Sequence, residues 1–364
     1  MSFEGVDFYD VDGLLSGEER AVRDMVREWV QEELMPVINE HYMAHSFPKH
    51  LIPQMGELGF FGANLPEEYG CAGLNNVAYG LINQELERGD SGLRSFASVQ
   101  GALVMYPIFA FGSEEQRKDW LPKLATGEKI GCFGLTEPDF GSNPGGMLTR
   151  AVRDGDEWVL NGAKMWITNG SIADVAVVWA RTDEGIRGFV VPTDAPGFSA
   201  PKIERKVSLR ASVTSELIME DVRLPSAAAL PGVASMRGPL SCLNEARFGI
   251  SFGAVGAARD CYEAALDYAG SREQFGGPIS RFQLTQQRLV DMMVQVQSGT
   301  LVAYHLGRLK DDGALGPAQV SFGKKDNVAM SLRVAREARS LLGANGITTE
   351  YPVIRHMNNL ESVY

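Results

Sequence analysis

Apolar residues recur at helical spacing in Val22, Met25, Val26, Trp29, Val30 and Leu34, and the run stops at Pro36. Ahead of it, Leu15-Ser16-Gly-Glu-Glu19 reads as a hydrophobic residue followed by a capping box, so the first element is an amphipathic helix. The same period continues through Leu51–Leu58, Ala78–Arg88, Ser98–Phe111 and Glu114–Ala125, interrupted by the loop Pro66-Glu-Glu-Tyr-Gly. This predicts an α-helical N-terminal domain over 1–128. From about Ile130 the runs shorten to Thr149–Arg153, Trp158–Leu160 and Lys164–Ile167, separated by the hairpin-turn pairs Asp154-Gly155 and Asn161-Gly162. Val175–Ala180, Gly188–Val191, Lys202–Arg205 and Glu216–Met219 extend the strand pattern into a compact β-domain over 129–237. After Pro239 the helical period returns in long stretches, Ser241–Arg272, Gln283–Leu309 and Pro317–Leu342, and predicts a helical bundle over 238–364. The segment Ser271-Arg272-Glu-Gln-Phe275-Gly-Gly-Pro breaks its first two helices.

A chain of 364 residues with 45% hydrophobic content can supply a large core and suits two or three packed sub-domains. The net charge of −12 argues against nucleic acid or an anionic membrane as the main partner. No apolar run approaches the ~18 residues of a membrane span. The start, Met1-Ser-Phe-Glu-Gly-Val-Asp7, is acidic and lacks an apolar stretch, so no signal or transit peptide is expected and the cytoplasm is the default location. Cys71, Cys132, Cys242 and Cys261 lack ligand spacing and read as buried small hydrophobes. The histidines His41, His45, His50, His305 and His356 form no ligand pattern either, so no metal is expected.

Two segments carry candidate chemistry: Gly134-Leu-Thr136-Glu137-Pro-Asp-Phe-Gly141-Ser142 and, in the same strand-rich region, Lys164-Met-Trp166-Ile-Thr168-Asn169-Gly170. A turn with Thr, Gly and Ser offers backbone N–H groups and hydroxyls to an anion or a polar ring edge, and a tryptophan can cover a flat aromatic face. Those are the needs of a flavin. The two segments resemble the flavin-binding signature of the acyl-CoA dehydrogenases, and the likeness runs from the first long helix to Tyr364. It implies a multidomain α+β fold in which a helical domain, a barrel- or sandwich-like β-domain and a C-terminal four-helix bundle follow one another. It also implies FAD as cofactor and a homotetramer.

The resemblance places Phe133, Leu135, Thr136 and Gly141 at the flavin edge, with Trp166, Ile167 and Thr168 flanking the ring and Thr168 near the hydride-accepting nitrogen. Ser142 falls near the pyrophosphate and CoA. Arg272, Phe275 and Gln283 match positions that bind the adenine-dinucleotide end, partly across a subunit boundary, as does the loop with Ser340, Gly343 and Ala344. Taken alone, Gly343 reads more readily as a helix C-cap, since it ends a periodic helix. Asn244 and Arg247 match the helix start that faces CoA, although a lone arginine is more often simply exposed on an amphipathic helix.

Within the family, Glu85-Leu-Glu87-Arg-Gly-Asp-Ser-Gly-Leu-Arg94-Ser95-Phe-Ala-Ser98 looks most like the glutaryl-CoA dehydrogenases, whose substrate ends in a second carboxylate. A carboxylate pushed unpaired into an apolar pocket is prohibitively costly, and a guanidinium presents a planar two-pronged donor to it. Arg94 is therefore the expected anchor, with Ser95 and Ser98 as neutral donors. Glu87 either has a catalytic part, orienting Arg94 or tuning the charge around the released carboxylate, or is a solvated helix residue paired with Arg88. The resemblance implies oxidation of glutaryl-CoA, loss of carbon dioxide to give crotonyl-CoA, and electron transfer to electron-transferring flavoprotein.

By the same likeness the catalytic base is a glutamate roughly three residues past Tyr364, in a last helix the given sequence stops short of. The family's other base position is Ala246 here, and Glu245 lies about 100° around the helix from it. Glu361 occupies an ordinary helical place. Other readings are a non-decarboxylating or different acyl-CoA dehydrogenase, a flavin monooxygenase of the same fold, and a catalytically silent binding protein.

Overall fold

The computed structural model describes residues 7–364, so the acidic start on which the absence of a leader was read lies mostly outside the described residues. The N-terminal part comprises α1 (Gly17–Trp29), α2 (Met35–Ala44), α3 (Ile52–Glu57), α4 (Asn76–Gly89), α5 (Ser91–Ser98), α6 (Tyr106–Phe111) and α7 (Glu114–Ala125). The capping boxes form as the sequence requires, at Ser16 with Glu19 and at Ser113 with Gln116. Pro36 does not end the first helix. A π-helical turn, Val30–Leu34, carries it into α2, with the Met35 N–H bonded five residues back to Val30. The second π turn, Val99–Met105, joins α5 to α6 in the same way ahead of Pro107. A wider turn carries the preceding carbonyls clear of the pyrrolidine ring, which is how one helix accommodates an internal proline. Helix also begins earlier than expected in this region, at Ser91, because Asp90 caps it by accepting from the Gly92 N–H at 2.6 Å.

The middle part is a mixed sheet of β1 (Gly131–Gly134), β2 (Arg150–Asp154), β3 (Glu157–Thr168), β4 (Val175–Thr182), β5 (Gly185–Pro192), β6 (Phe198–Ser199) and β7 (Thr214–Pro225). The Asp154-Gly155 hairpin is present, with Asp154 opposite Glu157. Asn161-Gly162 is not a turn but a bulge within the continuous strand β3. Gly162 sits there with φ 147°, and a Cβ would lie 2.5 Å from the Thr149 hydroxyl, so the backbone bends without reversing. Lys202–Arg205 is not a strand either; Lys202 makes one isolated bridge to Ser215. Strand β1, which the sequence pattern did not single out, is buried and runs parallel to β4 at one end of the sheet order.

The C-terminal part holds α8 (Arg237–Ser271), a small hairpin of β8 (Glu273–Gln274) and β9 (Gly277–Pro278), then α9 (Gln283–Asp311), α10 (Pro317–Leu341) and α11 (Val353–Val363). The sheet keeps its own core around Trp158, Leu160, Val178 and Phe189, whereas the two helical parts share one continuous core. Glycines permit that close approach of α4 and α8. A Cβ on Gly80 would meet the Phe252 ring at 2.6 Å, and one on Gly256 would lie 1.9 Å from the Gln84 carbonyl oxygen. All four cysteines are buried thiols, and among the described residues no helix is long and apolar enough to cross a membrane.

Glu19 also locks the N-terminal helix to the bundle. Its buried carboxylate accepts from the Ser16 N–H at 2.7 Å, from Asn75 at 2.8 Å and from both Nη groups of Arg308. Burial pushes this carboxyl up, but the hydrogen bonds from Arg308, Ser16 and Asn75 outweigh it and hold it at about 2. A carboxyl depressed on folding contributes stability that is complete above about 4.5 and is lost as pH falls toward 2. Urea unfolding at stepped pH should therefore show the wild-type chain losing roughly 2 kcal/mol more than Glu19→Gln across that window, after solvent screening of the half-exposed arginine. Parallel slopes for the two proteins would contradict this.

Candidate functional site

The loop after β1 is closed on itself by a buried carboxylate. Glu137 accepts from the Leu148 N–H at 2.6 Å and the Thr149 N–H at 3.0 Å, and its third partner is the Lys164 ammonium at 2.9 Å. Burial pushes the Glu137 carboxyl up, yet these bonds prevail and hold it below the usual carboxylate range. Burial also brings Lys164 down to about 8, against the opposing pull of Glu137. Lys164 donates as well to the Leu135 carbonyl at 3.2 Å, and the Met165 N–H donates to the Thr136 carbonyl at 2.8 Å. Both motif segments are thus stitched side by side, although about twenty-five residues separate them in sequence.

Two residues past Lys164 the ladder between β3 and β7 slips again, pairing Lys164 with Leu217 but Ile167 with Ser215. Trp166 lies in this bulge at φ 64° and is 62% exposed. A left-handed tryptophan costs on the order of 1–3 kcal/mol, and such strain persists where surrounding bonds over-determine the backbone. The bulge turns its side chain outward, away from the sheet's core.

These features enclose a pocket of 210 Å³. Of the expected flavin residues, Phe133, Leu135, Thr136, Gly141, Trp166, Ile167 and Thr168 all line it. Ser142 is exposed and lies outside that lining. Val99, Leu103, Pro144 and Leu243 complete the wall and were not foreseen. Val99 and Leu103 come from the π turn, where apolar spacing alone reads as core. A π turn beside a helix proline is the signal that could have marked them.

The predicted anchor sits deeper in the same helix. Arg94 is 4% exposed and donates from Nε to Glu87 at 2.6 Å, while the other Glu87 oxygen accepts from the Ser91 hydroxyl at 2.8 Å. Glu87 is therefore not a solvated partner of Arg88; it is fully buried and holds the arginine. Ser95 and Ser98 are buried beside it on α5. Gly253 of α8 makes room, since a Cβ there would lie 2.0 Å from a Glu87 carboxylate oxygen and 3.3 Å from Arg94 Nε. Nearby, the buried Tyr79 hydroxyl and Asn83 Oδ1 make no hydrogen bond among the described residues.

Nearly three turns into α8, Arg247 donates to the Asn244 side chain at 3.0 Å and is half-buried, not free on the helix surface. Asn244 borders a second hollow of 180 Å³ with Tyr106, Ser241 and Phe248. Glu245, on its rim, is held by Lys310 at 2.5 Å, and that ammonium lies 4.7 Å from the centre of the Phe248 ring. Glu361 is likewise engaged, by Arg336.

Glu87, Arg94, Ser95, Ser98, Asn244 and Arg247 are not among the residues lining the 210 Å³ pocket, and the remaining predicted residues lie away from it as well. Arg272, Phe275 and Gln283 are exposed on and beside the β8–β9 hairpin, with Phe275 89% exposed at its turn. Ser340, Gly343 and Ala344 are exposed at the end of α10. Gly343, at φ 61°, directly follows the last helical turn, which is the C-cap geometry. The side chain of Asn345 ties this loop to the Tyr268 hydroxyl at 3.0 Å, one turn before Arg272.

The chain matches the acyl-CoA dehydrogenase family, with the N-terminal domain at residues 16–128, the middle domain at 132–222 and the C-terminal domain at 236–364. It belongs to that family. It is similar to a crystal structure of glutaryl-CoA dehydrogenase from Mycobacterium smegmatis at 63% identity and a TM-score of 0.95, covering 97% of this chain and 91% of that one. A second M. smegmatis glutaryl-CoA dehydrogenase structure, in complex with FADH2, is 57% identical with a TM-score of 0.96 over 98% and 92% of the two chains. The bovine mitochondrial short-chain specific acyl-CoA dehydrogenase is 36% identical over 92% of this chain and 83% of its own length.

Proposed function

We propose that this chain oxidises glutaryl-CoA at its α,β bond and releases carbon dioxide from the resulting glutaconyl-CoA to leave crotonyl-CoA, passing electrons to electron-transferring flavoprotein. The observation that carries the substrate assignment is Arg94, buried and held by Glu87 on the helix whose next turn lines the pocket. The likeness to glutaryl-CoA dehydrogenase structures supports the same reading.

FAD is the cofactor, and when bound it supplies the acceptor for the hydride leaving the β-carbon. The residues present suit it. The Thr136 N–H has no partner among the described residues, Gly141 opens onto free space, and the bulge turns Trp166 to the pocket rim. Phe133, Leu135, Thr136, Gly141, Ile167 and Thr168 would hold the ring and exclude water, with Trp166 beside them at the pocket rim. Ser142, Asn244 and Arg247 take the CoA side. Arg272, Phe275, Gln283, Ser340, Gly343 and Ala344 would take the adenine-dinucleotide end, partly across a subunit boundary in a homotetramer.

Arg94 pairs with the distal carboxylate, helped by Ser95 and Ser98, and so fixes the β-carbon facing the flavin. Glu87 holds the guanidinium in place. Glu87, Glu245 and Glu361 are each paired with a cation, Arg94, Lys310 and Arg336 respectively.

Anaerobic mixing of the flavin-loaded protein with glutaryl-CoA should bleach the flavin and yield crotonyl-CoA and carbon dioxide. Accumulating glutaconyl-CoA would remove the decarboxylating step. Bleaching by NAD(P)H alone would replace the dehydrogenase with a monooxygenase.

A further inference from the structure

Lys164 has a use beyond its ion pair. Its ammonium lies 3.2 Å from the Leu135 carbonyl oxygen, and the N–H of that same peptide unit belongs to Thr136. In a trans peptide the carbonyl and N–H point in opposite directions, so a cation bonded to the oxygen is directed away from the amide hydrogen. The Thr136 N–H has no acceptor among the described residues, and Thr136 lines the 210 Å³ pocket. A hydrogen bond accepted by a carbonyl from a charged donor strengthens the donor at the other end of the peptide, because the two polarise one another in a low-dielectric interior.

The paired carboxylate does not cancel this effect. Glu137 stands one bond further from the peptide, and its charge is shared with the N–H groups of Leu148 and Thr149. Lys164 is also fully buried, so solvent does not screen its field.

We propose that Lys164 is a positioning residue for the redox cofactor: through the Leu135–Thr136 peptide it sharpens an N–H donor aimed at the negative charge the flavin gains on reduction. The inference rests on the flavin reading above. Two electrons and one proton delivered as hydride leave the ring with one additional negative charge, which a polarised N–H stabilises more than it does the neutral oxidised ring.

The test is the midpoint potential of the bound flavin, read by dye-coupled anaerobic reduction of the full chain, together with the FAD dissociation constant. Lys164→Met should lower the affinity for reduced relative to oxidised flavin about tenfold, a shift of about −30 mV for two electrons. Lys164→Arg, which keeps the charge, should stay near the wild-type value. The double variant Glu137→Gln with Lys164→Met relieves the unpaired buried carboxylate and keeps the loop folded, and it should retain the lowered potential.

A double variant that binds flavin at the wild-type potential would overturn the proposal and leave Lys164 a purely structural tie. A Lys164→Met protein at the wild-type potential would overturn it as well. Either result leaves flavin binding intact, whereas a wild-type chain that takes up no FAD overturns the flavin reading and this inference together.

Discussion

Arg94→Ala is expected to lower glutaryl-CoA turnover by roughly 1.5–3 kcal/mol or more, on the order of ten- to a hundredfold, while butyryl-CoA turnover changes little. The loss is that of a charged hydrogen-bonded pair with the distal carboxylate, which butyryl-CoA lacks. The environment of Arg94 adds a second consequence. Glu87 is fully buried, and without the arginine its only remaining hydrogen-bond donor among the described residues is the Ser91 hydroxyl at 2.8 Å. Stripping one partner from a buried pair costs about 3–5 kcal/mol, so the single variant should also unfold at markedly lower urea.

Stability and specificity can be separated by replacing both residues at once. Glu87→Gln with Arg94→Gln leaves a neutral, hydrogen-bonding pair and should recover most of the stability, yet it should not recover the preference for glutaryl-CoA. Steady-state kinetics on both substrates, beside urea midpoints for each protein, decide the matter. Equal losses on the two substrates would remove Arg94 as the carboxylate anchor.

The second large effect is expected far along the chain. Arg355, 1% exposed on α11, donates to the Gly89 carbonyl and to Asp90 at 2.9 Å, and Asn359 reaches the same Asp90 oxygen at 2.9 Å. The other Asp90 oxygen caps α5, the helix that carries Arg94. Arg355→Met should therefore destabilise the protein by about 3–5 kcal/mol, because a buried carboxylate loses its cation. Unlike a distant core change, it should also weaken glutaryl-CoA more than butyryl-CoA, since the frayed cap is one turn from the anchor. Adding Asp90→Asn should return part of the stability. A loss under about 1 kcal/mol in Arg355→Met would show that Asp90 does not depend on this partner.

Elements with a strong single period were legible in the sequence. Glu114–Ala125 matches α7 at both ends, and the three long C-terminal stretches match α8, α9 and α10 to within a few residues. Errors arose where one residue type carries two meanings. Asn161-Gly162 has hairpin composition, but close packing against Thr149 makes it a bulge. Pro36 has the composition of a helix stop, and a π turn absorbs it. Strand β1 is four residues long and buried throughout, so it offers no alternation to read.

At the site, the two motif segments were recognisable by their resemblance to the family's flavin-binding signature, in which a turn with Thr, Gly and Ser is followed by a segment carrying a tryptophan. Val99, Leu103 and Leu243 were not, since an apolar residue facing a pocket and one facing the core look alike in one dimension.

Local composition by itself determined the order of helical, strand and helical parts, the caps that start the helices and the residue types offered to a flavin. These depend on neighbours within a few positions, where backbone hydrogen bonds and period act. Only the tertiary structure decided that Glu87 is a buried partner of Arg94, that Lys164 reaches the Leu135 carbonyl and that Arg355 secures the cap of α5. Each joins charges that are distant in sequence, or chooses between neighbours such as Arg88 and Arg94. Whether a charge is paired or solvated depends on the burial that packing imposes, not on the residues beside it in the chain.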